Sequence, residues 1–416
     1  MPDRPDILHL HLHGAHLATL QQRRQGEPIR LTHTEQALDT YSGNSPVISN
    51  SLRVSRRAHD ATAWLDGLLP EGPLRDVIAG NRGVVSSDTW AMIASLGRDV
   101  AGAGTIVDPD RQPADAREPH VEPYPTLDHV AAAVDALPET PLGVLDDSEL
   151  SLAGMQDKLL LVRTDAGCGW GRPVGGYPST HILKVDPPKP ALRGVVEQEA
   201  AALAVAQRAG LTNNSPTIVN HGDNTWLIVE RYDRSIDGTG HVTRIHQEDL
   251  AQAAGIDTRH NARRAKYETH GGPGLLTAAQ LLRDSAQDVD QQLSLLVGAT
   301  VFTVLVGNSD AHAKNLSLLL HPAGAVQLAP LYDTVPTMLF PTLAVRCAMM
   351  VGGVYDNLER VNHQALVYEV EGRRRWGITN ERAVALVDHW TDRVVQATVD
   401  DRVGGYVRRA ADRLAR

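Results

Sequence analysis

At 416 residues, with 42% hydrophobic and 22% charged positions, the chain has the balance of a folded globular protein and the length for two or three packed units of roughly 150 residues each. A formal charge of −10 argues against a surface that is a nucleic-acid footprint throughout and leaves only local stripes such as Arg53, Arg56 and Arg57 for that role. Two cysteines, Cys168 and Cys347, are too few for a disulfide framework and lack zinc-ligand spacing; with no basic-then-apolar leader and no run read as a membrane span, a cytoplasmic protein with no membrane partner is expected.

Residues 1–107 open with Leu8, Leu10 and Leu12 at alternating positions, pass through a turn-rich stretch at Asn44-Ser45-Pro46, and become helical near Trp64, Leu68 and Leu69. This pattern predicts a small mixed α/β unit. His9, His11 and His13 alternate with the leucines, which sets three imidazoles on one strand face. Neighbours on a single extended strand do not form a tetrahedral cage, so a solvated face is expected there and not a zinc site. Residues 108–125 are rich in Pro, Asp and Glu with little periodicity and read as an exposed linker.

Residues 126–234 predict a sheet-rich lobe. Strands at residues 159–162 and 181–185 are expected to form a hairpin across a Gly-rich turn over 167–176. A helix follows over 195–209, with Glu197 and Glu199 at its start and Gly210 at its C-terminal capping position, and then a strand over 226–229. From 235 to 416 the pattern turns helical, with Leu293, Leu296, Phe302 and Leu305 along a segment suited to a buried helix. His246 and His260 read as ordinary polar residues.

The sharpest chemical signal is Asp310-Ala311-His312-Ala313-Lys314-Asn315, which contains D-x-x-x-x-N. In protein kinases that spacing lets an Asp accept the proton of a substrate hydroxyl while the Asn reaches a magnesium ion from the same loop. A strand over 316–320, a turn at His321-Pro322-Ala323-Gly324 and a strand over 326–329 would return Asp333 to the neighbourhood of Asn315. Asn315 and Asp333, with nucleotide oxygens and waters, would then suffice for Mg²⁺. The competing reading is that Asp310 and Asn315 merely cap turns.

Upstream, Lys184 on a strand is placed to reach nucleotide phosphates, and Glu199 in the next helix to hold it by an ion pair; each alone also reads as a solvated surface charge. The stretch from Ser151 through Ala153 and Gly154 to Lys158 can lay backbone N–H groups over phosphates, although it lacks a full G-x-G-x-x-G. Backbone groups of Glu230 and Tyr232 can bond an adenine edge, with the Tyr232 ring packed on it. A plain interlobe salt-bridge cluster over residues 230–234 is the other reading.

In order along the chain stand S-L-A-G-M-Q-D-K (151–158), H-I-L-K (181–184), V-E-R-Y-D-R (229–234), H-Q-E-D (246–249), G-G-P-G (271–274), D-A-H-A-K-N (310–315) and L-A-P-L-Y-D (328–333). L-L-P-E-G-P-L-R-D (68–76) and L-G-R-D-V-A-G-A (96–103) precede them. With these motifs the chain resembles the HipA-like kinases, the toxin half of HipBA-type toxin–antitoxin modules, over nearly its full length. The resemblance implies an α+β, bilobal protein-kinase-like fold: a sheet-rich N-lobe over 126–234 and a helical C-lobe over 235–416, with an additional N-terminal α/β subdomain. It implies transfer of the ATP γ-phosphoryl group to a protein serine or threonine, with Asp310 as catalytic base, Lys184 on the phosphates, and Asn315 and Asp333 as Mg²⁺ ligands. His312 and Gln247 would lie near the phosphates. Ser151 would be an autophosphorylation site whose added charge repels the ATP polyphosphate. A HipB-like helix-turn-helix antitoxin is the implied partner, with DNA reached only through it, and the implied target is a translation component such as an aminoacyl-tRNA synthetase. Tyr232, where many relatives carry Phe, and Thr334-Val335 after the metal-binding Asp are departures. A small-molecule kinase of the aminoglycoside or choline type, and a non-catalytic module gripping an antitoxin or DNA, are the alternatives.

Overall fold

The leucine alternation at the N-terminus produces β1 (Ile7–Leu12), with Leu8, Leu10 and Leu12 buried and the intervening residues half-buried. The computed structural model describes residues 4–110, 118–142, 152, 157–257, 265–372 and 375–415. It divides into two compact units, the first made of residues 1–185, 219–248 and 320–324, the second of 186–218, 249–319 and 325–416.

In the first unit, His13 and Gly14 both take positive φ, +53° and +79°, and so turn β1 tightly into β2 (Ala15–Gln21). With β3 (Arg30–His33), β4 (His59–Asp60) and β5 (Thr105–Val107) they form a five-stranded sheet in the order β4-β3-β2-β1-β5. The helices of this region are α1 (Glu35–Thr40), α2 (Thr62–Gly67), α3 (Gly72–Asn81) and α4 (Thr89–Leu96); Trp64, Trp90 and Ile93 join the three leucines in one core.

A second sheet follows, of β6 (His120–Pro123), β7 (Lys158–Arg163), β8 (Trp170–Val174), β9 (His181–Val185), β10 (Thr217–His221) and β11 (Asn224–Glu230), in the order β10-β11-β9-β7-β8-β6. Packed beneath it, α5 (Leu127–Asp135) places Val130 against Leu159, Leu183 and Trp226. The segment expected as a Gly-rich turn holds β8, and the one expected as linker holds the edge strand β6. Both pair chiefly through backbone groups, with one cross-strand ion pair between Arg172 and Glu122, which leaves little trace in side-chain periodicity. The chain then forms the hairpin of β12 (Arg234–Ile236) and β13 (Val242–Arg244), and enters β14 (Gln247–Asp249).

Two of the sequence motifs meet in this unit. Asp99, fully buried, accepts hydrogen bonds from Arg234 Nη2 at 2.8 Å, Ser179 N at 2.9 Å and Ser179 Oγ at 2.7 Å. Asp233 accepts from Arg231 Nε at 3.0 Å, Arg231 Nη2 at 2.8 Å and Gly102 N at 2.7 Å. Burial would push both carboxyls up. The arginines prevail: Arg234, Arg231 and Arg244 hold Asp99, and Arg231 and Arg234 hold Asp233, below the ordinary carboxylate range.

The second unit begins with α6 (Val195–Ala209), which ends as expected at Gly210 in the left-handed region, φ +79°. There follow α7 (Leu250–Ala253), closed by an Asp249/Gln252 capping box, α8 (Leu275–Ser285), and α9 (Val289–Val306). Next come β15 (Ser317–Leu320) and β16 (Val326–Leu328), side by side, then α10 (His363–Val370), α11 (Asn380–Gln396) and α12 (Arg402–Leu414). Packed against α8, α10, α11 and α12, α9 is the axis of the unit. It is long and apolar enough to cross a membrane by length and composition, contrary to the reading that no run qualifies. Its packing accounts for that composition, because 67% of it is buried inside the protein.

Replacing Asp99 with Ala removes one of the two carboxylates that neutralise buried Arg231 and Arg234, and the expected loss of stability is about 3–5 kcal/mol in denaturant titration. A loss under about 1 kcal/mol would show that the cluster does not hold the unit together. Buried His246 accepts from Ala103 N at Nδ1 and lies 2.8 Å from Ile48 O at Nε2, and burial pushes its pKa down to about 4; burial likewise takes His33 and His181 down to about 4. An unfolded chain protonates these rings near pH 6.5, so it binds more protons than the folded one between about 6.5 and 4. Stability is therefore complete above 6.5 and falls as the pH drops towards 4, His246 alone accounting for on the order of 3 kcal/mol. Denaturant titration of His246→Gln across this range should give a shallower slope than wild type, and an identical slope would contradict the assignment.

Candidate active site

The loop after α9 is rooted by a glycine and a serine. Gly307, at φ +76°, could not carry a side chain: a Cβ would stand 2.7 Å from Tyr406 Cε1 and 2.9 Å from Met338 Cβ. Buried Ser309 donates from its backbone N to the Thr337 hydroxyl oxygen, 2.8 Å away, and from Oγ to Ala344 O at 2.5 Å. On this root, Asp310 N donates to Asn308 Oδ1 at 3.1 Å, and Asp310 O accepts from His312 N at 2.8 Å and Asn315 Nδ2 at 3.3 Å. Asp310 and Asn315 thus do close turns, through backbone groups and the Asn315 amide nitrogen. The Asp310 carboxylate is not consumed by capping: it stands exposed and accepts the Tyr267 hydroxyl at 2.8 Å.

The strands β15 and β16 bring Asp333 back as the spacing predicted. Ala329 N donates to Ser317 O at 2.8 Å, and the Tyr332 hydroxyl lies 2.6 Å from Ser317 Oγ and donates to Lys314 O at 2.8 Å. Asn308 completes the joint: its Nδ2 reaches Asp333 O at 3.5 Å while its Oδ1 holds Asp310 N. Asp333 itself has φ +52°, a left-handed conformation that is uncommon outside glycine and that Asp tolerates better than most. Beside it, the buried Thr334 hydroxyl has no hydrogen-bond partner among the described residues and lines, with Asn308, Asn315 and Tyr332, a cavity of about 40 Å³. That volume suits water and is far below the size of a nucleotide.

As a donor set, an Asn carbonyl and an Asp carboxylate fit a hard cation such as Mg²⁺, which draws its remaining oxygens from phosphates and water. Among the described residues no group of three or more His, Cys, Asp or Glu side chains is arranged to hold a metal ion by itself. The three N-terminal histidines do not share one strand face: His9 and His11 do, half-buried, but His13 sits in the turn, and the third imidazole is His16 of β2, stacked 3.9 Å from His9. Burial pushes the Cys347 thiol up to about 11, and both cysteines are free.

Lys184 lies on β9, in the interior of its sheet, and is 8% exposed; Glu199 is 0% exposed in α6 of the second unit, so neither is a solvated surface charge. Directly across from Lys184 on β7 stands Lys158, equally buried. Cross-strand partners share a sheet face, so two ammonium side chains are placed together. Lys158 was visible as the last residue of its motif, but only the β7–β9 register reveals this pairing. Tyr232 donates to Gln247 Oε1 at 3.0 Å, joining two expected site residues, and Glu230 is exposed at the end of β11. Their neighbours Arg231, Asp233 and Arg234 belong to a buried ion cluster with Asp99: salt bridges as the alternative reading has it, but made with the N-terminal region of the same unit and not between lobes. His312 is buried in the Asp310 loop. Ser151, Ala153 and Gly154 lie outside the described residues.

Family models match the sequence as the HipA N-terminal domain over residues 8–107 and the HipA-like C-terminal domain over residues 150–398. Among curated proteins, "Putative kinase Y4mE" of Sinorhizobium fredii is 37% identical over 356 residues, 83% of this chain and 81% of that one. The "Serine/threonine-protein kinase toxin HipA" of Shewanella oneidensis is 28% identical over 316 residues, 72% of this chain and 68% of that one. A solved chain from the Shewanella oneidensis complex of HipA, HipB and operator DNA shares the fold with a TM-score of 0.78 at 22% identity, covering 98% of this chain and 95% of its own. The mixed α and β elements are thus those of a HipA-type, kinase-like fold, and the chain belongs to the HipA-like kinase family.

Proposed function

We propose that the chain is an ATP- and Mg²⁺-dependent serine/threonine protein kinase that acts as the toxin of a HipBA-type module. One observation carries the reading: the loop bearing Asp310 and Asn315 is fastened to Asp333 through Asn308 and Tyr332, inside a family of kinases. The exposed Asp310 carboxylate accepts the proton of the incoming hydroxyl. Asn315, whose Nδ2 is turned to Asp310 O, offers its carbonyl oxygen alongside the Asp333 carboxylate as ligands for Mg²⁺. Lys184, with Lys158 across from it, supplies positive charge for phosphates, and Gln247, Tyr232 and Glu230 serve the nucleotide. Bound Mg²⁺–ATP supplies the γ-phosphoryl group; the chain's own contribution is positioning and charge neutralisation.

Ser151, by the same reading, is a site of inhibitory autophosphorylation, since a charge of about −1.5 to −2 in a phosphate-binding loop would repel the polyphosphate. A HipB-like helix-turn-helix antitoxin is the proposed partner, with DNA contacted through it. Support comes from the solved relative, whose structure contains HipA, HipB and operator DNA. The proposed target is a translation protein in the cytoplasm, such as an aminoacyl-tRNA synthetase.

Incubation of the protein with labelled ATP, Mg²⁺ and a cell lysate, followed by mass spectrometry, identifies the phosphorylated residues. Asp310→Asn should lower the labelling rate by about 10²–10⁴-fold while ATP still raises the melting temperature. Labelling at the wild-type rate in that variant would remove Asp310 as the base. Asp333→Asn should abolish the Mg²⁺-dependent part of the ATP-induced thermal shift; a shift equal to wild type would remove Asp333 as a metal ligand.

A further inference from the structure

The Asp310 carboxylate sits on an exposed loop, where a side chain with two rotatable bonds samples several rotamers. A general base that must meet a hydroxyl loses rate when it wanders, and misplacement by about 1 Å can cost on the order of 10²-fold. The Tyr267 hydroxyl, 2.8 Å from Asp310 Oδ1, restrains it. We propose that Tyr267 is a positioning residue for Asp310: it holds one carboxylate oxygen and leaves the other aimed at the acceptor hydroxyl. The proposal rests on the reading of Asp310 as the base.

The main chain around Tyr267 is built to hold that hydroxyl still. On its N-terminal side, Lys266 O accepts from Ala313 N at 3.1 Å, within the Asp310 loop itself. On its C-terminal side, Glu268 N donates to Ala348 O at 3.0 Å, and Ala348 N donates to Ser309 O at 2.9 Å, the residue before Asp310. The Glu268 carboxylate also accepts from Met350 N at 2.7 Å. Tyr267 is therefore clamped between the two ends of the loop it serves. Its ring stands edge-on to His312, with centroids 5.6 Å apart.

The return of the chain depends on Gly272, whose N donates to Tyr267 O at 3.0 Å. A Cβ on Gly272 would stand 2.4 Å from Ala265 O and 2.9 Å from Tyr267 O, so no larger residue allows that closure. The chemistry of the donor matters as well. A phenol fixes a carboxylate by one directional bond and adds no charge, whereas an arginine or lysine would bind it as an ion pair and compete with the incoming hydroxyl.

The test measures label transfer from ATP to the lysate protein that wild type phosphorylates most strongly, at varied ATP, for wild type, Tyr267→Phe, Asp310→Asn and the double variant. Tyr267→Phe keeps the ring and should lower kcat by about 10–100-fold, with KM for ATP and the melting temperature unchanged. In the Asp310→Asn background the same change should cost nothing further. Damage to the fold would appear in both backgrounds and cancel in this cycle. A Tyr267→Phe rate at or above wild type, with Asp310→Asn inactive, would overturn the proposal alone. An equal fractional loss in both backgrounds would overturn it too, by showing that Tyr267 acts elsewhere. A wild-type rate in Asp310→Asn would instead sink the reading of the base on which the proposal stands.

Discussion

The arrangement of the second unit's candidate site depends on two short polar fastenings between segments that are distant in sequence. The Tyr332 hydroxyl closes on Lys314 O and Ser317 Oγ, and the Asn308 carboxamide spans from Asp310 N to Asp333 O. Neither is strong alone. A net contribution of about 1 kcal/mol per hydrogen bond is the ordinary scale, and the left-handed backbone of Asp333 costs roughly 1–3 kcal/mol. Several such bonds are of the size needed to offset that strain. The β15–β16 pairing supplies the rest by fixing where Asp333 returns. Strain at such a residue and an orphaned hydroxyl on the next, Thr334, agree with a site shaped for a ligand more than for stability.

The first unit solves a different problem. Its two sheets are joined by charge in the interior, where Asp99 from the N-terminal region meets Arg231 and Arg234 from the segment after β11. A buried cluster of this kind is weak evidence for stability, since the desolvation of each ion offsets much of the attraction. In the observed placement, residues 99–102 satisfy both carboxylates, both guanidinium groups and the carbonyl of Val100 together. The N-terminal subdomain is thereby tied to the strand segment that also carries Glu230 and Tyr232.

Sequence reading succeeded where chemistry and local spacing coincide. The helix over 195–209, its glycine stop, the buried helix before the Asp310 loop and the return of Asp333 were all legible, because each follows from residues within about twenty positions of one another. It failed where structure is made by backbone pairing or by distant contact. The strands β6 and β8 carry few alternating side chains and were hidden in segments that read as linker and turn. Lys158 is set beside Lys184 only by its cross-strand register, and Tyr267 meets Asp310 only through a bond to a residue 43 positions away. The motifs over 96–103 and 229–234 both stand out in the sequence, yet nothing in either announces that they meet. His13 shows the limit of periodicity, since it continues the alternation but falls in the turn.

The central claim is that Asn315 and Asp333 share one nucleotide-bound cation, with Asp310 facing the transferable phosphoryl group. A crystal structure with Mg²⁺ and a non-hydrolysable ATP analogue tests it most directly. The account predicts a cation with one Asn315 oxygen and one Asp333 oxygen at about 2.0–2.2 Å, completed by phosphate oxygens and water. A cation held elsewhere, with either side chain turned away from the nucleotide, would contradict it.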